Sequence, residues 1–305
     1  MLGHYLVNLR IVAGMYKSEF LDLKNIVSMY GPESKVVMFE KIASAPLYAL
    51  PMLITSVRRR FLPVTTRTFW GERMTVVIPE GGSMSIINTG FIEPELTKWI
   101  LRYVKGGMTV LDIGAHYGYF TMLASHLVGP QGQVHAFEPT PSTFSILELN
   151  ARRLSNVFTN HVACFSRNGS MLLSDFGHRY SGFNTLVKSR MGGLSVARRI
   201  KVQTQKLDDY VEAKDIKPNF VKIDAESTES DVLEGMSEVI QRHRPMISLE
   251  VGDFVASGIP SKDLISGLLD KGYHAYESRN DIMREHKVRE KYGYENILFV
   301  PDPGR

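Results

Sequence analysis

The stretch Val110–Thr121, VLDIGAHYGYFT, decides the fold. It sits inside MTVLDIG, a short apolar run with strand character, and passes through Gly114 and Gly118 into YFTMLASHLV, which has helical spacing. A strand that turns through glycines into a helix is the opening unit of a parallel α/β sheet. His116 is the irregular residue, because a dinucleotide loop would carry glycines at 114, 116 and 119, and this chain has His116 and Tyr119 at two of those positions.

Outward from this loop the alternation is regular. QVHAFEP reads as a strand, PSTFSILELNARRLS as a helix opening on Pro141, and VFTNHVACF as a third strand. From Ser166 to about Lys206 the chain is rich in Gly, Ser and Arg, which predicts an inserted hairpin or flap containing the β-like pieces GSMLLSD and GFNTLV. The pattern then resumes with NFVKIDA, the helix ESDVLEGMSEVIQRH, RPMISLEV, the helix SKDLISGLLDKG, GYHAYES and YENILFVP. The expectation is a Rossmann-like, seven-stranded, mostly parallel sheet with helices on both faces. Its last strand is antiparallel, since no helix separates it from the sixth.

Before the loop, RTFWGERMTVVIPEGG alternates like a strand pair leading into a Gly-Gly turn, and FIEPELTKWILRYVKGG has helical spacing. Residues 1–66 read as a helical or lid-forming segment and 67–305 as the Rossmann-like domain with its insertion at about 166–206. The run IASAPLYALPMLITSV, followed by Arg58, Arg59 and Arg60, resembles a membrane segment with a basic flank. It is shorter than the roughly 20 residues of a spanning helix, and Pro46 and Pro51 interrupt it. A buried or lid-forming role is expected for it, with contact to a membrane surface or a lipidic substrate through 42–60 as the alternative.

Of 305 residues, 44% are apolar, enough for a large self-supporting core. The 36 basic residues are dispersed among 32 acidic ones, which argues against a nucleic-acid partner. Cys164 is the single cysteine, so neither an internal disulfide nor a cysteine-based metal site is available. The first residues lack a basic region ahead of their apolar run, so no secretory signal is expected and the cytoplasm is the default compartment.

Ligands of doubly wound sheets sit beyond the carboxyl ends of the strands. Those ends carry Asp112, Glu138, Asp224, Glu226 and Glu250. Glu138 lies about two dozen residues past the glycine loop, where an acid can accept hydrogen bonds from ribose hydroxyls. That placement fits either a nicotinamide dinucleotide or S-adenosylmethionine. The loop disfavours a pyrophosphate, and an acidic cleft favours a cation, so the sulfonium and ammonium of S-adenosylmethionine fit better. Tyr117, Tyr119, Phe120 and Phe137 are aromatic residues that would add cation–π contacts to such a ligand.

VLDIGAHYGYFT, HAFEPTPSTFSILELN, KLDDYV, VKIDAESTESDVLEGM, ISLEV and NILFVP, in that order, resemble the FkbM family of S-adenosylmethionine-dependent methyltransferases. The resemblance runs from about Gly71 to Pro301. It implies a class I methyltransferase fold, with the cofactor held by Asp112, Gly114, Gly118, Thr121 and Glu138 and with Ala163 beside the adenine. It also implies O-methylation of hydroxyls on sugars, glycolipids or polyketides. Two positions depart from the family pattern: Ser227 replaces a glycine after the second acid of the DAE run, and His116 replaces an asparagine.

Methyl transfer to oxygen needs an aligned hydroxyl and a route for its proton. Asp224 and Glu226 are the expected catalytic acids, with Glu229 in support; the alternative has Asp224 holding the cofactor's amino group and Glu229 capping a helix. Asp224 and Glu250 also suit Mg²⁺, which could bind and acidify a vicinal diol, but no compact ligand cluster is evident along the chain, and the metal is an alternative that is not favoured. His116 reads equally as a turn residue tolerant of positive φ or as a side chain touching cofactor or acceptor. The expected partner is a small-molecule or glycan hydroxyl acceptor. A non-catalytic cofactor-binding or membrane-docking module and a nicotinamide oxidoreductase are the competing readings.

Overall fold

The computed structural model describes residues 61–186, 196–253, 259–279 and 282–303. Residues 1–60, including the apolar run at 42–57 and its three arginines, lie outside them, as do residues 187–195 of the insertion. The chain divides into two compact units, with the boundary between Leu101 and Arg102.

In the first unit, β1 (Leu62–Arg67) and β2 (Arg73–Ile78) form an antiparallel hairpin in the register Leu62↔Ile78 to Arg67↔Arg73, so β1 begins before the change of texture at 66/67. The Gly81–Gly82 pair, expected to be a turn, opens helix α1 (Gly81–Thr89) instead. Glu80 caps it, its carboxylate accepting from the N–H groups of Gly82 and Ser83 at 2.8 and 2.6 Å. Two satisfied amide donors at the helix start offset the poor helix propensity of the glycines. Helix α2 (Pro94–Tyr103) opens on proline and buries Leu96, Trp99 and Ile100.

The second unit is built on the sequence that opened the reading. Strands β3 (Thr109–Ile113), β4 (Gln133–Phe137) and β5 (Val157–Asn160) alternate with helices α3 (Tyr119–Val128) and α4 (Pro141–Ala151). The expected third strand is in fact two: β5 joins the main sheet, and β6 (Ala163–Cys164) joins a small sheet with β7 (Gly169–Asp175) and β8 (Arg198–Gln205). The insertion is a hairpin as expected, β7 and β8 pairing antiparallel from Gly169↔Thr204 to Asp175↔Arg198.

Helix α5 (Leu207–Lys214) leads to β9 (Phe220–Ile223). The long helix expected next is broken into α6 (Glu229–Gly235) and α7 (Ser237–His243), with Met236 at φ −122° between them. A Cβ at Gly235 would lie 2.1 Å from the Phe165 carbonyl oxygen, so the break lies where the helix end meets the backbone that follows β6. Strand β10 (Met246–Val251), helix α8 (Ser261–Asp270), β11 (Tyr273–Arg279), β12 (Ile282–Glu285) and β13 (Glu295–Pro301) complete the unit.

The main sheet has the order β12-β11-β13-β10-β9-β3-β4-β5. Neighbours from β10 to β5 are parallel, and β13 is antiparallel to both β10 and β11. This is the expected α/β arrangement with one strand more than the seven read from sequence. β12 falls in the segment read as a charged loop; its exposed IMRE, with Ile282 and three long polar or flexible residues, has no strong alternation. The core packs Leu111, Ile113, Val221, Ile223, Ile247, Leu249, Ile297 and Phe299 from the central strands against Val211, Val239 and Ile265 from the helices. No helix among the described residues is long and apolar enough to cross a membrane.

Candidate active site

The loop after β3 owes its shape to three left-handed residues, Gly114 (φ 73°), His116 (φ 51°) and Gly118 (φ 90°). Glycine is required at 114 because a Cβ there would lie 1.8 Å from the Asp224 carbonyl oxygen. The N–H groups of Gly114 and Ala115 both donate to the Phe137 carbonyl at 3.0 Å, which clamps the loop to the end of β4. Asp112, 1% exposed, accepts from the Thr121 hydroxyl at 2.6 Å and so ties β3 to the first turn of α3.

Glu138 follows β4 and is buried. Its carboxylate accepts the N–H of Thr140 at 2.8 Å and of His116 at 3.1 Å. Burial pushes its pKa up to about 7, against the hydrogen bonds, which favour the charged form. His116 therefore touches Glu138 through its backbone, while its ring Nε2 lies 2.8 Å from the Ser181 Oγ. The Tyr117 hydroxyl shares the same partner at 3.2 Å.

Ser181 begins a strap from the insertion that the sequence reading did not resolve. Asn184 donates to the Thr140 hydroxyl oxygen at 3.2 Å, and Thr185 donates to the Glu226 carbonyl at 2.6 Å. Within five residues the strap touches the loops after β3, β4 and β9. Nothing in the local sequence GFNTLV marks it, because its partners lie far away along the chain.

Lys222 is the second residue that the sequence reading missed. The four-residue strand FVKI is buried throughout, and the register sets Lys222 directly beside Asp112 on β3. Its Nζ lies 3.5 Å from Asp112 Oδ1 and 3.2 Å from Asp224 Oδ2, and it donates to the Gly114 carbonyl at 3.2 Å. The cleft is thus less uniformly acidic than the strand ends suggested: an internal cation is shared by two of the five carboxylates and offsets one of their charges. A lone charge within an apolar strand was the available signal.

Asp224, Glu226 and Glu250 each place a carboxylate oxygen within 4.8 Å of the others, a compact oxygen group that linear spacing concealed. The Glu250 pKa is raised well above the usual carboxylate range, by burial first and then by the charges of Asp224, Glu226 and Glu229. Glu229 accepts the N–H groups of Ala225 and Ser227, both at 3.1 Å, and holds the turn that delivers Glu226. Glu226 and Ser227 have φ of 50° and 76°, so Ser227 occupies a backbone conformation that glycine adopts freely.

Other expected ligand contacts are engaged within the protein. Ala163 is buried in β6 with Leu173 and Val202. The Phe137 ring packs edge-on against Tyr210 at 4.9 Å, and the Phe120 ring faces Lys222 Nζ at 5.4 Å. Tyr119 and Phe120 pack edge-to-face at 5.0 Å.

Comparison with known proteins agrees with the resemblance. The family model described as a methyltransferase FkbM domain matches residues 112–294, well over half of the chain. The 31-O-demethyl-FK506 methyltransferase FkbM of Streptomyces tacrolimicus is 38% identical over 87 residues, covering 26% of this chain and 33% of its own length. The hexuronic acid methyltransferase AglP of Haloferax volcanii is 26% identical over 151 residues, covering 49% of this chain and 58% of its own. Among solved structures, a methyltransferase FkbM from Methylobacillus flagellatus aligns at 15% identity with a TM-score of 0.41, over 63% of this chain and 43% of that one. The chain spans between a third and about three-fifths of the length of the curated relatives it matches. With the family model running from Asp112 in β3 through the carboxylate group to the approach of β13, the chain belongs to the FkbM methyltransferase family.

Proposed function

We propose that the chain is an S-adenosylmethionine-dependent O-methyltransferase acting on a hydroxyl of a sugar, glycolipid or polyketide-type natural product. The observation that carries this reading is the sequence of acids along neighbouring strand ends, with Glu138 after β4, Asp112 on β3, and Asp224 and Glu226 after β9. The donor set fits the cofactor. Glu138 offers a fixed carboxylate to a hydroxyl pair, and the negative charge left on Asp112 and Asp224 after their shared pairing with Lys222 suits an ammonium. The chemistry that the cofactor supplies when bound is a methyl group on cationic sulfur, an activated leaving arrangement.

What the protein then contributes is positioning and a proton route. Asp224 and Glu226 orient the acceptor hydroxyl and take its proton, while Glu229 fixes the turn on which Glu226 sits. Glu250, whose pKa burial and its acidic neighbours raise, stands in the same carboxylate group. The related FK506 and hexuronic acid methyltransferases support a hydroxylated acceptor by their names.

Calorimetry with S-adenosylmethionine and its demethylated product, with NAD as the contrast, tests the reading. Binding of the first two and not of NAD is expected; absence of both overturns it. In a mass-spectrometric screen for one added methyl, Asp224→Asn and Glu226→Gln should each lose about 10²–10⁴ in turnover. A non-catalytic module would bind the cofactor and yield no methylated product.

A further inference from the structure

Glu138 and Glu226 follow strands β4 and β9, which β3 separates in the sheet, yet two adjacent residues of the strap reach toward both. Asn184 Oδ1 accepts the N–H of Phe176 at 2.8 Å, which fixes the orientation of the amide and leaves Nδ2 to donate to the Thr140 hydroxyl oxygen at 3.2 Å. With that oxygen accepting from Asn184, the single hydroxyl hydrogen of Thr140 is available to Glu138, which the Thr140 hydroxyl and N–H both hydrogen-bond. One residue on, the Thr185 hydroxyl donates to the Glu226 carbonyl at 2.6 Å. The path from Glu138 to Glu226 thus runs through Thr140, Asn184 and Thr185, with a covalent step between the last two.

The strap is held from behind by its hairpin. Ser174 and Thr185 exchange backbone hydrogen bonds at 2.8 and 3.2 Å, and Asp175 pairs with Arg198 where β7 and β8 end. That backbone pairing is enough to seat Thr185; its hydroxyl is directed instead at the turn after β9. Ser181 gives the strap a further attachment, through the ring of His116, whose N–H donates to Glu138. At the far end, Glu226 and Ser227 hold positive φ, a conformation that persists in non-glycine residues only where the surroundings over-determine it. Glu229 accepts the N–H groups on either side of Glu226, and Thr185 engages the Glu226 carbonyl. Asn184 and Thr185 are both buried, so neither bond is exchanged with bulk water.

We propose that Asn184 and Thr185 are positioning residues that join Glu138 to the turn of Glu226, so that a ribose seated on Glu138 sets the placement of Glu226. The link rests on the methyltransferase reading, which seats a ribose on Glu138 and gives Glu226 its part in transfer, but it can be measured without any methyl acceptor. The ligand for the test is adenosine, which has the ribose hydroxyls and lacks the amino-acid end that would reach Asp112 or Asp224. In protein-observed NMR, adenosine should move the amide resonances of Thr140, Thr185 and Ser227 along one saturation curve. Thr185→Val keeps the side-chain shape and the backbone pairing but removes the donor; it should lose the Ser227 shift, with adenosine affinity within about twofold of the parent. Thr185→Ser should restore that shift. Asn184→Asp keeps the oxygen that accepts from Phe176 and removes the donor to Thr140, and should weaken the Thr185 and Ser227 shifts together. A purely structural role would leave the Ser227 shift intact in Thr185→Val, or lose it equally in Thr185→Ser, and either result overturns the proposal. So does a parent in which S-adenosylhomocysteine binds and adenosine leaves Ser227 unmoved. Failure of S-adenosylhomocysteine to bind the parent would instead strike the methyltransferase reading.

Discussion

Glu138 directly follows β4, and Glu250 is the penultimate residue of β10; both are buried glutamates beside a parallel strand end, yet their surroundings differ in kind. At Glu138 two backbone N–H groups point at the carboxylate, so burial is opposed by fixed dipoles. At Glu250 burial and the neighbouring charges of Asp224, Glu226 and Glu229 push the same way, toward the protonated form. One residue type thus meets opposed influences at one end of the row and concerted ones at the other. Lys222, between β3 and the acids after β9, joins the two environments.

Removing that join should have the largest effect. Lys222→Met leaves Asp112 and Asp224 facing each other without a cation, at an expected cost of about 3–5 kcal/mol in stability measured by urea unfolding. Adding Asp112→Asn should recover part of the loss. A cost below about 1 kcal/mol would mean that the two ends are independent.

A pH series sharpens the comparison at the Glu138 end. Glu138 binds its proton more tightly folded than unfolded, so its stabilising contribution is fully present below about 4.5 and is lost as pH rises through about 7. The expected loss is about 3 kcal/mol across that window, and Glu138→Gln should remove it from the unfolding profile. Glu229 and Glu250 shift in the same direction, so the variant should retain a slope from the β9–β10 end. An unchanged profile in Glu138→Gln would show that backbone hydrogen bonds, rather than burial, dominate there.

The smallest effect is expected at the turn that carries Glu226. Ser227→Gly relieves a left-handed backbone at a non-glycine residue and should raise stability by about 1 kcal/mol, read as a higher thermal midpoint. A lower midpoint would mean that the serine side chain contributes more than its conformation costs.

Most strands and helices were legible because hydrophobic period is a local property: MTVLDIG, YFTMLASHLV and YENILFVP each declare themselves within a dozen residues. The positive φ of His116 was anticipated from its place in a glycine loop, and its backbone hydrogen bond to Glu138 was not. The split of ESDVLEGMSEVIQRH into two helices falls at Met236, beside the close approach of Gly235 to the backbone after β6, a contact invisible in helical spacing. Strand β12 was missed because its four residues, IMRE, carry no alternation.

The sequence by itself determined the order of elements, the acids at the strand ends and the glycine loop that argues against a pyrophosphate. Only the tertiary structure decided that Lys222 lies beside Asp112, that Glu250 converges with Asp224 and Glu226, and that the strap at Ser181–Thr185 reaches three separate loops. The physical reason is register. A strand's own pattern fixes which face of it is buried, but which residue stands beside which on a distant strand is set by packing of the whole sheet, and the charge balance of the site follows from that pairing.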